Sequence, residues 1–207
     1  PRRRHPERHP QRQLRRTLAI IGRQIHHLDR MVGDFVDMST IEGGKLDLHV
    51  DAHDVRDIVR QAVGLFAHVE AMRERFEVSI PREPCFALCD EVRIGQAVTN
   101  LVSNAIKYSP AGSPIAVRVE RDAGDVIIAV TDNGAGIARE DHHLIFEPFR
   151  RVGKAMATGT GLGLFNVKRV IEAHDGRIEV ESVPRCGTTF RIYLHAGRIP
   201  TRADSAR

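Results

Sequence analysis

The sequence has no Trp and only two Tyr among its 207 residues, and its Arg-rich opening has no aromatics interleaved with the charges. Stacking platforms for single-stranded nucleic acid are therefore missing where the charge is. Cysteine is scarce as well. Cys85, Cys89 and Cys186 make an odd number, and no Cys/His pairing at finger spacing accompanies them. That argues against a disulfide framework or structural zinc and for free thiols in a reducing compartment. Long apolar runs are absent too: Val126-Ile127-Ile128-Ala129-Val130 is far too short to span a bilayer. The opening run has no apolar stretch behind it, so no secretory signal is expected. The expected location is cytoplasmic, with membrane association only through a preceding region or a partner.

Basic charge is not general either. The net charge is +4, but residues 1–16 hold seven Arg against Glu7, a local +6 that leaves the rest of the chain at −2. The high pI describes an arm at residues 1–13 and its edge, not a basic domain, and no nucleic-acid partner is expected. With 42% hydrophobic and 28% charged residues, the remainder has the composition of a globular protein able to bury a core.

From Leu14 the apolar residues step by four and three through Leu18, Ile21, Ile25, Leu28, Val32 and Phe35. This is a heptad seam on a helix over residues 14–42, and 27 of those residues would extend about 40 Å. Leaving seven such anchors exposed would forfeit about 10–20 kcal/mol gross. The seam therefore needs a partner helix, and the chain contains no second heptad helix. A homodimer or hetero-oligomer through Leu14–Phe35 is expected.

Gly43-Gly44 ends that helix, and a mixed domain over residues 43–197 follows, with a disordered tail at 198–207. Lys45–Val50 alternates like a strand, and Val55–Arg73 reads as one helix. Phe76–Ile80 and Cys85–Leu88 read as short strands and Glu91–Tyr108 as a strong helix. Ile115–Glu120 and Asp125–Thr131 form a hairpin around Ala123-Gly124. A helix over Leu164–His174 precedes a second hairpin of Gly176–Ser182 and Thr188–Leu194. Helices alternating with antiparallel strand pairs predict an α+β fold, a two-layer α/β sandwich.

Three stretches carry chemistry. On the helix Glu91–Tyr108, the residues Ile94, Val98, Leu101, Val102 and Ala105 share one arc of about 100°. Gln96, Asn100, Asn104, Lys107 and Tyr108 share the arc beside it, about 120° wide. Amide oxygens suit a hard cation such as Mg²⁺ without adding charge beside a polyphosphate, and Lys107 offers phosphates a point charge. The ordinary alternative is a polar flank. Next, the buried strand Val126–Thr131 delivers Asp132 ahead of Gly134 and Gly136. Its carboxylate can accept from an exocyclic amine such as adenine N6, while the glycines let backbone approach a ring. A simple hairpin would give the same pattern. Finally, Gly159-Thr160-Gly161-Leu162-Gly163 runs into a helix N-terminus, where backbone N–H groups bind phosphate. No Gly-Lys-Ser/Thr follows and no strand precedes, which excludes a P-loop and a dinucleotide fingerprint. Residues 151–158, small and polar, read as a mobile lid, and Arg150, Arg151 and Lys154 could reach a terminal phosphate.

The order Asn100–Tyr108, Asp132–Gly136, Phe146-Glu147-Pro148-Phe149, Gly159–Gly163 resembles the N, G1, F and G2 boxes of sensor histidine kinases. Cys186-Gly187-Thr188-Thr189-Phe190 is similar to the family's last box. The seam helix running into Ser39-Thr40-Ile41-Glu42-Gly43-Gly44-Lys45-Leu46 is similar to the second helix of its dimerisation hairpin. The resemblance covers residues 14–196. Asp175 departs from it, standing where the family usually has Gly, as does Gly95 inside a helix.

The resemblance implies a Bergerat ATP-binding fold with ATP and Mg²⁺ as ligands. It implies Asn104 as the Mg²⁺ ligand, with Asn100 and Lys107 supporting the phosphates and Arg150 contacting the γ-phosphate. Asp132 would read adenine N6, with Tyr108, Gly134 and Gly136 around the base, and Ile137, Phe149 and Thr188 would also bind the nucleotide. Gly159, Gly161 and Gly163 would shape the lid, and Thr160 and Leu162 would also bind the nucleotide. DNA gyrase and the HSP90 chaperones resemble this pattern with Glu where Asn100 stands, a general base for hydrolysis that an amide cannot replace. The family's acceptor box, of the type His-Glu-Leu-Arg-Thr-Pro, is not among these residues. His5 and His9 lie among prolines that forbid a helix. His26 and His27 flank the seam, and His142 and His143 read as surface residues. His49, His53, His68, His174 and His195 carry no motif. The expected activity is ATP-dependent phosphorylation of a histidine outside this chain, on an acceptor hairpin that in turn serves a response regulator. Autophosphorylation without that partner is not expected. The alternative is a non-enzymatic ATP-binding and dimerisation module.

Overall fold

A computed structural model of the protein describes residues 47–67, 70–150 and 160–197, all within a unit running from Leu46 to Arg207. The seam Leu14–Phe35, the stretch Ser39–Leu46 and residues 151–159, with Arg151, Lys154 and Gly159, lie outside the described residues. The elements are β1 (Asp51–Asp54), α1 (Val55–Gly64), α2 (Glu70–Arg73), β2 (Phe76–Ser79), β3 (Phe86–Cys89) and α3 (Glu91–Tyr108). They continue with β4 (Ile115–Asp122), β5 (Asp125–Asp132), α4 (Gly163–Ala173), β6 (Arg177–Val183) and β7 (Gly187–His195).

Five strands form one sheet in the order β2-β4-β5-β7-β6. The β2–β4 pair is parallel and the others antiparallel. The strands β1 and β3 pair separately, and a bridge from Ala87 to Ala196 ties β3 to the end of β7. Alternation along β5 turns Val126, Ile128 and Val130 to the same face as Ile115, Val117 and Val119 of β4. All are buried, with Phe190, Ile192 and Leu194 of β7, against α1, α3 and α4. This is the two-layer α+β arrangement that the alternation of elements predicts.

The helix α3 carries the site and is held at both ends. Asp90 caps it, its carboxylate accepting from the Arg93 N–H at 3.1 Å and from the His49 N–H at 3.0 Å. The Asp90 N–H donates to Nε2 of buried His174 at 2.9 Å. The other ring nitrogen, Nδ1, donates to the Val170 carbonyl at 2.7 Å. One neutral imidazole thus ties the last turn of α4 to the first of α3. His174, which carries no sequence motif, is a clamp between the two helices.

Both departures from the family pattern have a local reading. Asp175 has φ +55° and ends α4 in a Schellman arrangement. The Gly176 N–H reaches the Ile171 carbonyl at 3.0 Å and the Asp175 N–H the Glu172 carbonyl at 3.1 Å. Asp tolerates that left-handed position but Gly occupies it without strain. Gly95 costs α3 about 1 kcal/mol relative to Ala. Burial of Ile94, Val98, Leu101 and Val102, at about 1.5–3 kcal/mol each, outweighs it. A Cβ at Gly95 would lie 3.8 Å from Ile58 Cγ2, an ordinary contact. Gly95→Ala and Asp175→Gly should each therefore add about 0.5–1 kcal/mol and raise Tm by roughly 2–4 °C. Thermal melts of the two variants check this, and a fall in Tm would contradict it.

Two expectations are corrected. Lys45–Val50 is not a strand at the positions described: residues 47–50 are irregular and β1 begins at Asp51. Its pairing with β3 from Asp51↔Cys89 to Asp54↔Phe86 sets the position, and no alternation in Asp51–Asp54 announces it. Asp54 then caps α1 and pairs with Arg56 at 2.6 Å. Val55–Arg73 is not one helix. It breaks after Gly64, where Phe66 and Ala67 fold back onto the Val63 carbonyl, and only Glu70–Arg73 resumes.

Candidate functional site

Asn100 and Asn104 are half-buried on α3, one turn apart, and Lys107 and Tyr108 are exposed at its end. The Lys107 ammonium sits 4.8 Å from the centroid of the Tyr108 ring. Gly163 opens α4 beside Asn100: a Cβ there would lie 3.8 Å from Asn100 Oδ1. The cap residue of α4 is Leu162, which offers no side-chain acceptor. Among the described residues no side chain caps this end, so the N–H groups of its first turn can face an anion. The Leu162 N–H itself points to Thr160 Oγ1 at 3.4 Å.

Asp132 ends β5 and is buried. Its Oδ1 accepts from the Gly134 N–H at 2.7 Å. Desolvation pushes the Asp132 carboxyl above the usual carboxylate range, partly offset by the backbone N–H groups of Gly134 and Thr188. A Cβ at Gly134 would come within 2.6 Å of the Tyr108 carbonyl, so its absence lets this turn dock on the end of α3. Gly136, at φ +65°, makes room for the Val183 carbonyl. At both glycines an added side chain would meet protein backbone. Ile137 follows, and its N–H donates to Ser182 Oγ at 2.8 Å.

Thr188 faces Asp132 across β5–β7 and Ser182 across β7–β6. Neighbours paired in this way present their side chains on one face, and Asp132, Thr188 and Ser182 therefore form a polar row at the end of the sheet. Phe149 is 61% exposed at φ +63°, and its N–H donates to the Gly161 carbonyl at 3.1 Å. Arg150 pairs with Glu147, Nε to Oε2, at 3.0 Å.

Some of the residues singled out from sequence thus gather at two places along α3. Asp132 and Gly134 lie by its Tyr108 end, with Thr188 paired to Asp132, and Gly163 lies beside Asn100. Eight residues of helix, about 12 Å, separate these places. A buried acceptor at one end and an uncapped helix N-terminus with amides at the other fit a ligand with an amino-bearing base and a phosphate tail. The chemistry of the donors also fits Mg²⁺: Asn100 and Asn104 offer hard oxygens beside, not within, the charged groups. Ser182 and His174 were not legible as site or support residues, whereas Gly187 stands in the last box. Gly187 at φ +106° makes room for the Asp132 carbonyl, and Ser182 looks in sequence like one polar residue of an alternating strand. The Cys85 and Cys89 thiols are buried and free. Burial pushes Cys89 up to about 12, which leaves it inert as a thiolate.

Residues 89–198 match the family described as histidine kinase-, DNA gyrase B- and HSP90-like ATPases. The sensor-like histidine kinase SenX3 of Mycolicibacterium smegmatis is 37% identical over 187 residues, covering 87% of this chain and 48% of its own. This chain thus spans about half the length of that relative. Among solved structures, the mycobacterial sensor histidine kinase MprB is 30% identical with a TM-score of 0.64, over 72% of this chain and 99% of that one. The Acinetobacter baumannii histidine kinase AdeS is 27% identical with a TM-score of 0.67, over 87% and 84%.

Proposed function

The chain belongs to the histidine kinase-, DNA gyrase B- and HSP90-like ATPase family, and from that premise we propose that it transfers the γ-phosphoryl group of ATP to a histidine outside these 207 residues. The observation that carries the reading is the polarity of α3, with Asp132 at the Tyr108 end and the open N-terminus of α4 at Asn100. Adenine lies at the first end, its N6 amine donating to Asp132, with Tyr108, Gly134, Gly136, Ile137, Phe149 and Thr188 around it. The phosphates lie at the second, on the N–H groups that begin α4. Asn100 supports them, Lys107 would reach toward them from the Tyr108 end of α3, and Gly159, Thr160, Gly161, Leu162 and Gly163 shape the segment beside them.

Asn104 would hold Mg²⁺, which when bound supplies charge neutralisation on the phosphates. The chain's own residues orient and exclude. Asn100 offers no general base for water, which favours transfer over hydrolysis. Arg150, freed from Glu147, would meet the γ-phosphate. The bond from γ-phosphorus to the β-phosphate oxygen breaks, a phosphorus–nitrogen bond to the acceptor imidazole forms, and ADP leaves. In this reading residues 1–13 are an arm, 14–42 one helix of the dimerisation hairpin and 43–197 the catalytic domain. A helix bearing the acceptor would pack on Leu14–Phe35, and a response regulator would take the phosphoryl group onward. Calorimetry tests the first requirement: the unmodified chain should bind one ATP in the presence of Mg²⁺. No binding at millimolar ATP would overturn the proposal.

A further inference from the structure

Ser182 sits where three chain segments meet. Its Oγ accepts from the Ile137 N–H at 2.8 Å, donates to the Gly187 carbonyl at 2.8 Å and lies 2.8 Å from Thr188 Oγ1. A serine has one proton to give and two lone pairs to offer. Its proton goes to Gly187 O, because a carbonyl can only accept. One lone pair takes the Ile137 N–H. The contact with Thr188 must then run the other way, with the Thr188 hydroxyl donating to Ser182. That uses the only hydroxyl proton Thr188 has, and its oxygen is left as a pure acceptor. Thr188 is buried in register with Asp132, whose carboxylate is an acceptor as well.

Resting on the nucleotide reading above, we propose that Ser182 is a positioning residue that sets base specificity by fixing the direction of the Thr188 hydroxyl. With Ser182 present the row offers acceptors alone, which suits an amino purine and repels the carbonyl oxygen of an oxo purine. Without it the Thr188 hydroxyl turns, can donate, and tolerates the oxo base. A buried mismatch of two acceptors is the kind of contact on which discrimination rests, since each group is left without a donor.

The test compares ATP with ITP, whose base carries an oxygen in place of the amine, on the unmodified chain and on Ser182→Ala and Ser182→Thr. Calorimetric affinities should show the ratio of ATP to ITP binding falling about tenfold in Ser182→Ala, with ITP held or improved. Ser182→Thr, which keeps the hydroxyl, should restore the ratio. A purely structural role would weaken both nucleotides together, and an unchanged ratio in a Ser182→Ala protein that still binds ATP overturns this inference alone. If the unmodified chain bound neither nucleotide, the nucleotide reading and this inference would both fall.

Discussion

Asp132→Asn should abolish measurable ATP binding while leaving the fold as stable as before or more so. The loss follows from hydrogen-bond direction. The carboxylate can only accept, and the amide that replaces it can present N–H to the N6 amine, setting donor against donor. A site built around a buried polar group discriminates steeply once that group is mismatched, so a Kd at least 100-fold weaker is expected. The gain in stability follows from burial. Desolvation holds the Asp132 carboxyl above its unfolded value, and a raised carboxyl favours the fold below the unfolded pKa and loses that contribution as pH rises through the folded one. Once pH has risen past the folded value, the buried charge is a net cost to the fold, which the amide removes. The amide oxygen can still accept from Gly134. Calorimetry with ATP and a thermal melt on the same sample check both halves. Unchanged ATP affinity would contradict the assignment, and a large fall in Tm would show that Asp132 supports the fold instead.

Asn104→Ala should separate binding from chemistry. The adenine end of α3 is untouched, so ATP should still bind within several-fold of the unmodified affinity. The response of that affinity to Mg²⁺ should disappear, and phosphoryl transfer should fall about 100-fold or more, as expected when charge neutralisation at a transferring phosphoryl group is lost. Asn104→Asp, which keeps an oxygen but adds a charge beside the phosphates, should fall between the two. Titrations with and without Mg²⁺ provide a readout independent of turnover. If Mg²⁺ strengthened ATP binding to Asn104→Ala as much as to the unmodified chain, the ligand role would be wrong.

The parts of the fold legible in the sequence are those where one periodicity and one cap agree. Glu91–Tyr108 is found from its apolar arc, and the structure starts it at the capping Asp90 and stops it before Pro110. Ala123 and Gly124, at φ +45° and +96°, make the tight turn that the strand pattern around them requires. What failed was set by distant partners. The position of β1 is dictated by β3 some 35 residues away, and residues 51–54, Asp-Ala-His-Asp, have no strand preference of their own. The continuous helix over Val55–Arg73 looked right because the apolar spacing runs on past Gly64, while the backbone bends at Leu65–Ala67. At the site, side chains with their own motif were legible: Asp132, Asn100, Asn104 and the glycines before α4. Ser182 and His174 were not, because their importance lies in which atoms they join. Ser182 bonds Ile137 and Thr188, and His174 bonds Asp90 and Val170. Only the packed fold brings those atoms together.

The central claim, that ATP bound here serves transfer to a histidine and not hydrolysis, is tested most directly by following the γ-phosphate. The full chain would be incubated with ATP labelled at that phosphate and Mg²⁺, with and without a helical hairpin bearing an acceptor histidine box. Label should appear on the added hairpin through an acid-labile, base-stable bond, and this chain itself should stay unlabelled. Release of free phosphate at the same rate with and without the hairpin, or label on any histidine of this chain alone, would contradict the account.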